Sequence, residues 1–169
     1  KIFGEYIRNI ADNGIDISLE NTDENKLFIS SANSECTIGT LDIMEYPEAE
    51  SINGASYFAV QEMNLKDIIN NVIFAVATDD SRPMLKGVHF EAQQYTLSAV
   101  ATDGYRFAMS KKALEEKVDG ISATIPARSL SELSKLLTDS DNILKVFIEN
   151  NYLTVAMENT KLYTRLLGG

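Results

Sequence analysis

The chain has 169 residues, enough for one ordinary domain or one and a half small ones, with the apolar and charged fractions (44% and 24%) of a soluble globular protein. No apolar run approaches the roughly 20 residues that span a membrane, and no signal peptide precedes the first helical pattern, so we expect no membrane partner. The net charge of −10 argues against nucleic-acid binding by the whole surface, although one basic face remains compatible with it.

The first fifty residues contain a helical pattern and three strand patterns. Phe3, Ile7 and Ile10 recur at helical spacing. The strand patterns that follow are IDISLE, KLFISS and ECTIGTL. The stretch EYPEAESINGAS, rich in Pro, Gly, Asn and Ser, then marks a domain boundary.

The middle of the chain repeats this order with one strand added in front. SYFAV predicts the leading strand, and residues 64–77 predict a helix with Asn64 as its N-cap. The apolar stripe of that helix is Leu65, Ile68, Ile69, Val72 and Val76. Three further strands are predicted at KGVHFEA, YTLSAVAT and YRFAMSK.

The last part of the chain contains the same repeat again. ISATIP predicts the leading strand, and Leu130, Leu133 and Leu137 predict the helix. Three strands follow at LKVFIEN, YLTVAM and KLYTRLL. The β-α-β-β-β repeat predicts an α+β fold with antiparallel sheets packed on helices. We expect a partial domain at 1–50, a linker at 51–55 and a complete domain at 56–169.

The residues that usually carry catalysis are scarce. Cys36 is the only cysteine and His89 the only histidine, which excludes an intrachain disulfide and the common His- or Cys-based metal sites. Asp79, Asp80 and Asp103 could form an acidic catalytic or magnesium site, but turn formation is the stronger interpretation of these residues. We expect a reducing cytoplasmic setting, no metal, no cofactor and no enzymatic activity.

Basic residues lie at intervals on the three predicted helices. They are Arg8 on the first helix, Lys66 on the second, and Arg128 and Lys135 on the third. Positive charges on helix faces can follow a phosphate backbone without reading bases. A surface of mixed charge is equally compatible with the pattern, because Glu5, Asp67 and Glu132 lie on the same helices.

Two short stretches, SRPMLKG (81–87) and ATDGYRFAM (101–109), each place an arginine and apolar residues around a tight turn. Apolar groups beside a few polar anchors are typical of a peptide-binding pocket. A hairpin loop with one salt bridge is the simpler alternative.

These two stretches also resemble the central domain of the bacterial sliding clamp, the DNA polymerase III beta subunit. That family has Arg-Pro, Leu and Gly where this chain has RPMLKG, and Val-Ala-Thr-Asp followed by Gly or Ser, His and Arg where it has VATDGYR. TIGTLDIMEYPEA is similar to the end of the family's first domain, and IPARSLSELSKLL to a helix of its central domain. The resemblance covers essentially the whole chain.

The resemblance implies a head-to-tail homodimeric ring in the full-length protein, with sheets outside and helices lining a channel for duplex DNA. It implies a non-catalytic processivity factor whose partners are the polymerase III catalytic subunit, the clamp loader, other polymerases and repair proteins. It places the DNA-facing residues at Arg8, Lys66, Arg128 and Lys135. It places the partner-peptide site at Arg82, Leu85, Thr102, Gly104, Tyr105, Arg106 and Phe107.

The chain departs from the family pattern at Tyr105, where His is usual, and at Phe107, where Leu is usual. Both changes predict an altered selectivity for partners. Because Lys1 is not an initiator Met, we expect this chain to be a portion of a longer protein. That portion covers the end of the first domain and the central domain. The alternatives are an interaction module that uses the same pocket without encircling DNA and, third, a carboxylate-based hydrolase.

Overall fold

The computed structural model describes residues 2–10, 15–20, 26–42, 44 and 56–168. It separates into two compact units, Lys1–Glu50 and Ser51–Gly169. The linker predicted at 51–55 lies outside the described residues. Among the helices that the structure describes, none combines the length and the apolar character needed to cross a membrane.

The first unit contains one helix and one antiparallel sheet. Helix α1 (Ile2–Asn9) precedes strands β1 (Ile15–Glu20), β2 (Lys26–Ser31) and β3 (Ser34–Gly39), which pair in the order β1-β2-β3. The Tyr6 hydroxyl donates a hydrogen bond to Ser34 Oγ at 3.1 Å, which links α1 to β3. The predicted helix and strands are confirmed, with β3 displaced by one or two residues.

The second unit begins with β4 (Ser56–Gln61) and α2 (Glu62–Asn70), followed by 3-10 turns at Ile73–Ala75 and Pro83–Lys86. A long hairpin of β5 (Gly87–Thr102) and β6 (Phe107–Pro126) comes next. Helix α3 (Ala127–Leu136) and strands β7 (Ile143–Glu149), β8 (Tyr152–Ala156) and β9 (Lys161–Arg165) complete it.

The β5–β6 hairpin joins what the sequence predicts as four separate strands. Its register is regular from Thr102↔Phe107 to Thr96↔Ala113 and again from Ala92↔Ile121 to Gly87↔Pro126. Between these halves the register shifts around Gln94, whose φ is +56°. The segment between the halves of β5 lacks Gly and Pro, so the chain forms a bulge there without ending the strand.

The two repeats of the second unit exchange their leading strands. Strand β4 of the first repeat pairs with β7 of the second, and the sheet continues as β4-β7-β8-β9. The end of β6, which leads the second repeat, pairs with the start of β5 in the first. The repeats therefore depend on each other for their sheets, which supports treating 56–168 as one folded body.

Helices α2 and α3 cover the sheets with their apolar faces. Leu65, Ile68 and Ile69 from α2 and Leu130 and Leu133 from α3 are almost completely buried. They pack in one cluster with alternate strand residues such as Phe58, Phe90, Leu97, Val146 and Leu153. The Ser134 hydroxyl also donates to Asn70 Oδ1 at 2.8 Å, which joins the two helices outside the core.

The prediction for α2 is wrong at both ends. The N-cap is Gln61 and not Asn64, because the N–H groups of Glu62 and Met63 donate to the carbonyls of Asn142 and Ser140. A loop from the second repeat thus caps this helix, which local sequence does not reveal. The helix also ends at Asn70 rather than at Ala77, and the 3-10 turn at Ile73–Ala75 follows.

Candidate peptide-binding site

The turn between β5 and β6 is held by two side chains. Thr102 Oγ1 accepts a hydrogen bond from the Gly104 N–H at 3.1 Å and donates to the Arg106 carbonyl at 2.8 Å. Asp103 Oδ1 accepts from the N–H groups of Tyr105 and Arg106 at 2.9 and 3.0 Å. These four bonds fix the direction in which the side chains of the turn project.

Asp103 also holds the arginine of this turn. Arg106 Nε donates to Asp103 Oδ2 at 2.9 Å. The backbone hydrogen bonds from Arg106 and Tyr105, together with the guanidinium charge, lower the pKa of the Asp103 carboxyl. Asp103 is therefore a charged structural residue, whose carboxylate binds the backbone of the turn with one oxygen and the Arg106 side chain with the other.

The stretch before β5 has a similar arrangement around Arg82. Arg82 Nη2 donates to Asp79 Oδ2 at 3.2 Å, and the N–H and hydroxyl of Ser81 both donate to Asp79 Oδ1. The hydroxyl hydrogen bond from Ser81, followed by that from Arg82, lowers the pKa of the Asp79 carboxyl. Leu85, which is half-buried, closes the 3-10 turn by donating its N–H to the Arg82 carbonyl at 3.0 Å.

The structure brings the two predicted stretches together through Arg82. Its guanidinium lies over the Tyr105 ring, with Cζ 6.0 Å from the ring centroid. Gly104 has a φ of +90°, and a Cβ built on it would lie 2.5 Å from Arg82 Nη1. A glycine is needed here both for the backbone conformation and for the close approach of Arg82.

The site exposes an unusual amount of aromatic surface. Tyr105 is 94% exposed and Phe107 is 63% exposed. Phe74 is 60% exposed, and the Cζ atom of Arg106 lies 5.9 Å from its ring centroid. Phe74 is not among the site residues predicted from the sequence, because the predicted helix 64–77 includes it. Its position off the apolar stripe, between Val72 and Val76, is the sequence signal for its exposure.

The candidate carboxylates do not form one cluster. Asp79 bonds Ser81 and Arg82, Asp80 pairs with Lys86, and Asp103 bonds Arg106. In the described part of the chain, no three His, Cys, Asp or Glu side chains are grouped to hold a metal ion. His89 lies on the exposed face of β5, as its alternation predicts, and contacts the hydroxyls of Thr124 and Ser122 at 3.1 and 3.3 Å.

The basic residues predicted on the helices differ in their surroundings. Arg8 and Arg128 are exposed. Lys66 Nζ lies 2.8 Å from Asp139 Oδ1, and Lys135 Nζ lies 2.8 Å from Glu132 Oε1. Arg128 and Lys135 share the exposed side of α3, as their spacing predicts. The charges of the two lysines, Lys66 and Lys135, are balanced by carboxylates of the same chain.

The fold and the paired stretches around Arg82 and Arg106 define a protein of the sliding-clamp class. The family described as DNA polymerase III beta subunit, central domain, matches residues 59–169. Because this match covers more than half of the chain, the chain belongs to that family. The resemblance that the sequence shows and the α+β clamp fold are both confirmed.

Relatives and solved structures agree with this assignment. The chain is 36% identical to the beta sliding clamp of Streptococcus pneumoniae serotype 4 and 33% identical to that of Halalkalibacterium halodurans, over 97% and 100% of its length. The sliding clamp of Bacillus subtilis superposes with a TM-score of 0.84 at 30% identity, over 99% of this chain. The griselimycin-bound sliding clamp of Pseudomonas aeruginosa gives 0.82 at 26% identity, also over 99%.

The chain spans less than half the length of these proteins. It covers 44% of the Streptococcus relative and 45% of the Halalkalibacterium relative. It likewise covers 44% of the Bacillus subtilis structure and 45% of the Pseudomonas structure.

Proposed function

We propose that this chain is part of a DNA replication processivity factor, a non-catalytic sliding clamp that encircles duplex DNA and tethers DNA polymerase III. Residues 1–50 would supply the second half of the first clamp domain, and 56–169 the central domain. The observation that carries the proposal is the assembly of SRPMLKG and ATDGYRFAM into one exposed surface of aromatic rings and arginines. The sliding clamps that superpose over 99% of the chain support it.

The proposed docking surface takes short peptide segments of the polymerase, the clamp loader and other replication or repair proteins. Exposed rings beside oriented arginines are the groups that most often dominate peptide affinity. Tyr105 and Phe107 offer larger apolar faces than the family's usual His and Leu, so we expect a different preference among partner peptides. The residues assigned to this surface are Arg82, Leu85, Thr102, Gly104, Tyr105, Arg106 and Phe107.

The proposed DNA contact is made by the exposed faces of the helices. Arg8, Lys66, Arg128 and Lys135 would approach phosphates without reading bases. The intrachain pairs Lys66–Asp139 and Lys135–Glu132 reduce the net attraction of helices α2 and α3 for phosphates. A modest attraction suits a protein that must move along DNA without stopping at any sequence.

The full-length protein is proposed to act as a homodimeric ring in the cytoplasm. The single cysteine, Cys36, agrees with a reducing compartment. The proposal requires no cofactor and no metal, since tethering depends on enclosure and peptide binding rather than on bond chemistry.

The docking surface is tested with Arg106→Ala in the full-length clamp. The readout is the fluorescence anisotropy of a labelled peptide from the polymerase III catalytic subunit. We expect affinity to fall roughly tenfold or more, because an oriented arginine is removed from the centre of the site. Arg165→Ala, which removes an exposed arginine from β9, is the matched control. Unchanged peptide binding by Arg106→Ala would show that the pocket is assigned to the wrong residues.

A second candidate is an interaction module that uses the same surface but never encloses DNA. The balanced charges of Lys66 and Lys135 favour it, together with the net charge of −10. Electron microscopy of the full-length protein separates the two, because only the clamp forms a ring-shaped dimer. Retention on circular DNA, with loss after linearisation, supports the clamp for the same reason.

A further inference from the structure

Phe74 is held in an exposed position by the fold around it. It lies in the 3-10 turn Ile73–Ala75 between Ala75, which is fully buried, and Ile73, which packs against the core. The turn is closed by hydrogen bonds from Ala75 N–H to the Val72 carbonyl at 3.0 Å and from Val76 N–H to the Ile73 carbonyl at 3.4 Å. The buried neighbours anchor the turn, and the Phe74 ring therefore remains 60% exposed.

The ring is also linked to the proposed peptide site. The Cζ atom of Arg106 lies 5.9 Å from the Phe74 ring centroid, within the range of a cation–π contact. Arg106 is fixed in turn by its hydrogen bond to Asp103 Oδ2 at 2.9 Å. Phe74 thus extends the surface formed by the β5–β6 turn, although it lies about thirty residues earlier in the chain.

Two rows of side chains lie at this surface, and each consists of a carboxylate, an arginine and an aromatic ring. In one row Asp79 binds Arg82, which lies over Tyr105. In the other row Asp103 binds Arg106, which lies over Phe74. The charge of each arginine is balanced by a carboxylate. A binding partner therefore meets ring faces and guanidinium edges on a surface with little net positive charge.

We propose that Phe74 is a specificity-determining residue of the peptide site, where it contacts an apolar or aromatic side chain of the docked partner peptide. This inference rests on the proposed function. An apolar side chain gains by covering the exposed ring. An acidic side chain gains less, because Asp79 and Asp103 already neutralise the arginines and lie beside them.

The test uses the full-length clamp and a fluorescein-labelled peptide from the polymerase III catalytic subunit, in which each apolar residue is replaced by Ala in turn. We expect Phe74→Ala to weaken binding of the parent peptide roughly 5- to 30-fold. For one apolar residue of the peptide, replacement by Ala should weaken binding to the parent clamp but have little further effect on binding to the Phe74→Ala clamp. Phe74→Leu should retain most of the affinity for an apolar partner side chain.

Tyr95→Ala is the matched control, since Tyr95 is 59% exposed and lies seven residues from Thr102 along β5, about 23 Å in an extended strand. It should bind the peptide like the parent clamp. If Arg106→Ala weakens binding and Phe74→Ala does not, the inference about Phe74 is overturned while the proposed function stands. If neither change weakens binding, the docking surface itself is wrong, and Phe74 loses its role with it. Equal weakening of every peptide variant by Phe74→Ala would also overturn the inference, because no single contact would have been removed.

Discussion

The guanidinium of Arg82 occupies the space that a side chain on Gly104 would need. A Cβ on Gly104 would lie 2.5 Å from Arg82 Nη1, closer than non-bonded atoms approach. The same guanidinium lies over the ring of Tyr105, the next residue. The glycine therefore allows a contact between two segments that are about twenty residues apart, and this contact forms one side of the proposed site.

Gly104→Ala is expected to affect the protein in two ways. The φ of +90° disfavours any side chain, so the free energy of unfolding should fall by about 1–2 kcal/mol in urea titrations. The new methyl group should also displace the Arg82 side chain, because the flexible end of an arginine moves more easily than the backbone. We therefore expect peptide affinity to fall as well.

Gly120→Ala separates the two effects. Gly120 has a similar φ of +95°, but a Cβ there would meet nothing within 4 Å. The Gly120→Ala variant should lose about as much free energy of unfolding as Gly104→Ala and should keep the parent's peptide affinity. Equal peptide affinities for the two variants would contradict the role given to the Arg82–Gly104 contact.

Much of this fold follows from local patterns. The alternation of buried Val88 and Phe90 with exposed His89 was readable, as were the spaced leucines of α3. The N-cap of α2 was not readable, because its N–H groups donate to carbonyls near Ser140, which is distant in sequence. The exchange of leading strands was equally hidden, since pairing partners depend on the whole domain.

The candidate site is likewise predictable from local sequence only in part. The residues of the β5–β6 turn could be identified from an Asp-Gly turn with surplus polar groups and from the resemblance to the clamp family. The stacking of Arg82 on Tyr105 could not, because it joins two segments about twenty residues apart in the chain. The exposure of Phe74 was indicated only by its position off the apolar stripe, since its surroundings depend on where α2 ends. A pattern of apolar residues does not distinguish the last turn of a helix from a following 3-10 turn.

Asp103 provides the next prediction. Asp103→Ala removes the acceptor of two backbone N–H groups and of Arg106 Nε, so the turn should lose its shape and peptide affinity should fall at least as far as in Arg106→Ala. Asp103→Asn keeps an oxygen for the two N–H groups but has an NH2 group in place of Oδ2, so it loses both the charge and the hydrogen bond from Arg106 Nε. Its peptide affinity should fall by a few-fold only, as measured by anisotropy. If the two variants lose equal affinity, the contact between Asp103 and Arg106, rather than the turn geometry, determines the role of Asp103.

Glu62 provides a prediction about stability at acid pH. Its carboxylate is only 7% exposed and accepts hydrogen bonds at 2.6 Å from the Thr138 N–H and from the Ser140 hydroxyl. The bond from Ser140, followed by that from Thr138, lowers the pKa of Glu62 below its ordinary value of 4.5. A lowered pKa in the folded state adds stability above the unfolded value, and this contribution is lost as pH falls through the folded value.

Glu62→Gln should therefore lower the free energy of unfolding by about 1–3 kcal/mol at neutral pH, through loss of two charge-assisted hydrogen bonds. The difference from the parent protein should shrink as pH falls below about 4.5. Urea titrations at a series of pH values measure it. Glu149→Gln, at the half-buried end of β7, controls for the removal of one negative charge. A difference that stays constant down to the acid end would show that Glu62 acts through packing and not through its charge.

The helix faces give a prediction about salt. If Arg128 and Lys135 approach DNA phosphates, replacing both by Ala should reduce the slope of log affinity against log salt by up to about 1.8, at roughly 0.9 per phosphate contact. Arg128→Ala should supply the larger part, because Lys135 already bonds Glu132 at 2.8 Å. The measurement is the anisotropy of a labelled duplex with the full-length clamp across a salt series. Replacing the exposed strand lysines Lys117 and Lys161 by Ala removes the same charge from the sheets and should leave the slope nearly unchanged. Reversing both α3 charges to Glu should shorten retention on circular DNA, and a clamp that loads and stays on circular DNA with both charges reversed would remove α3 from the DNA-facing surface.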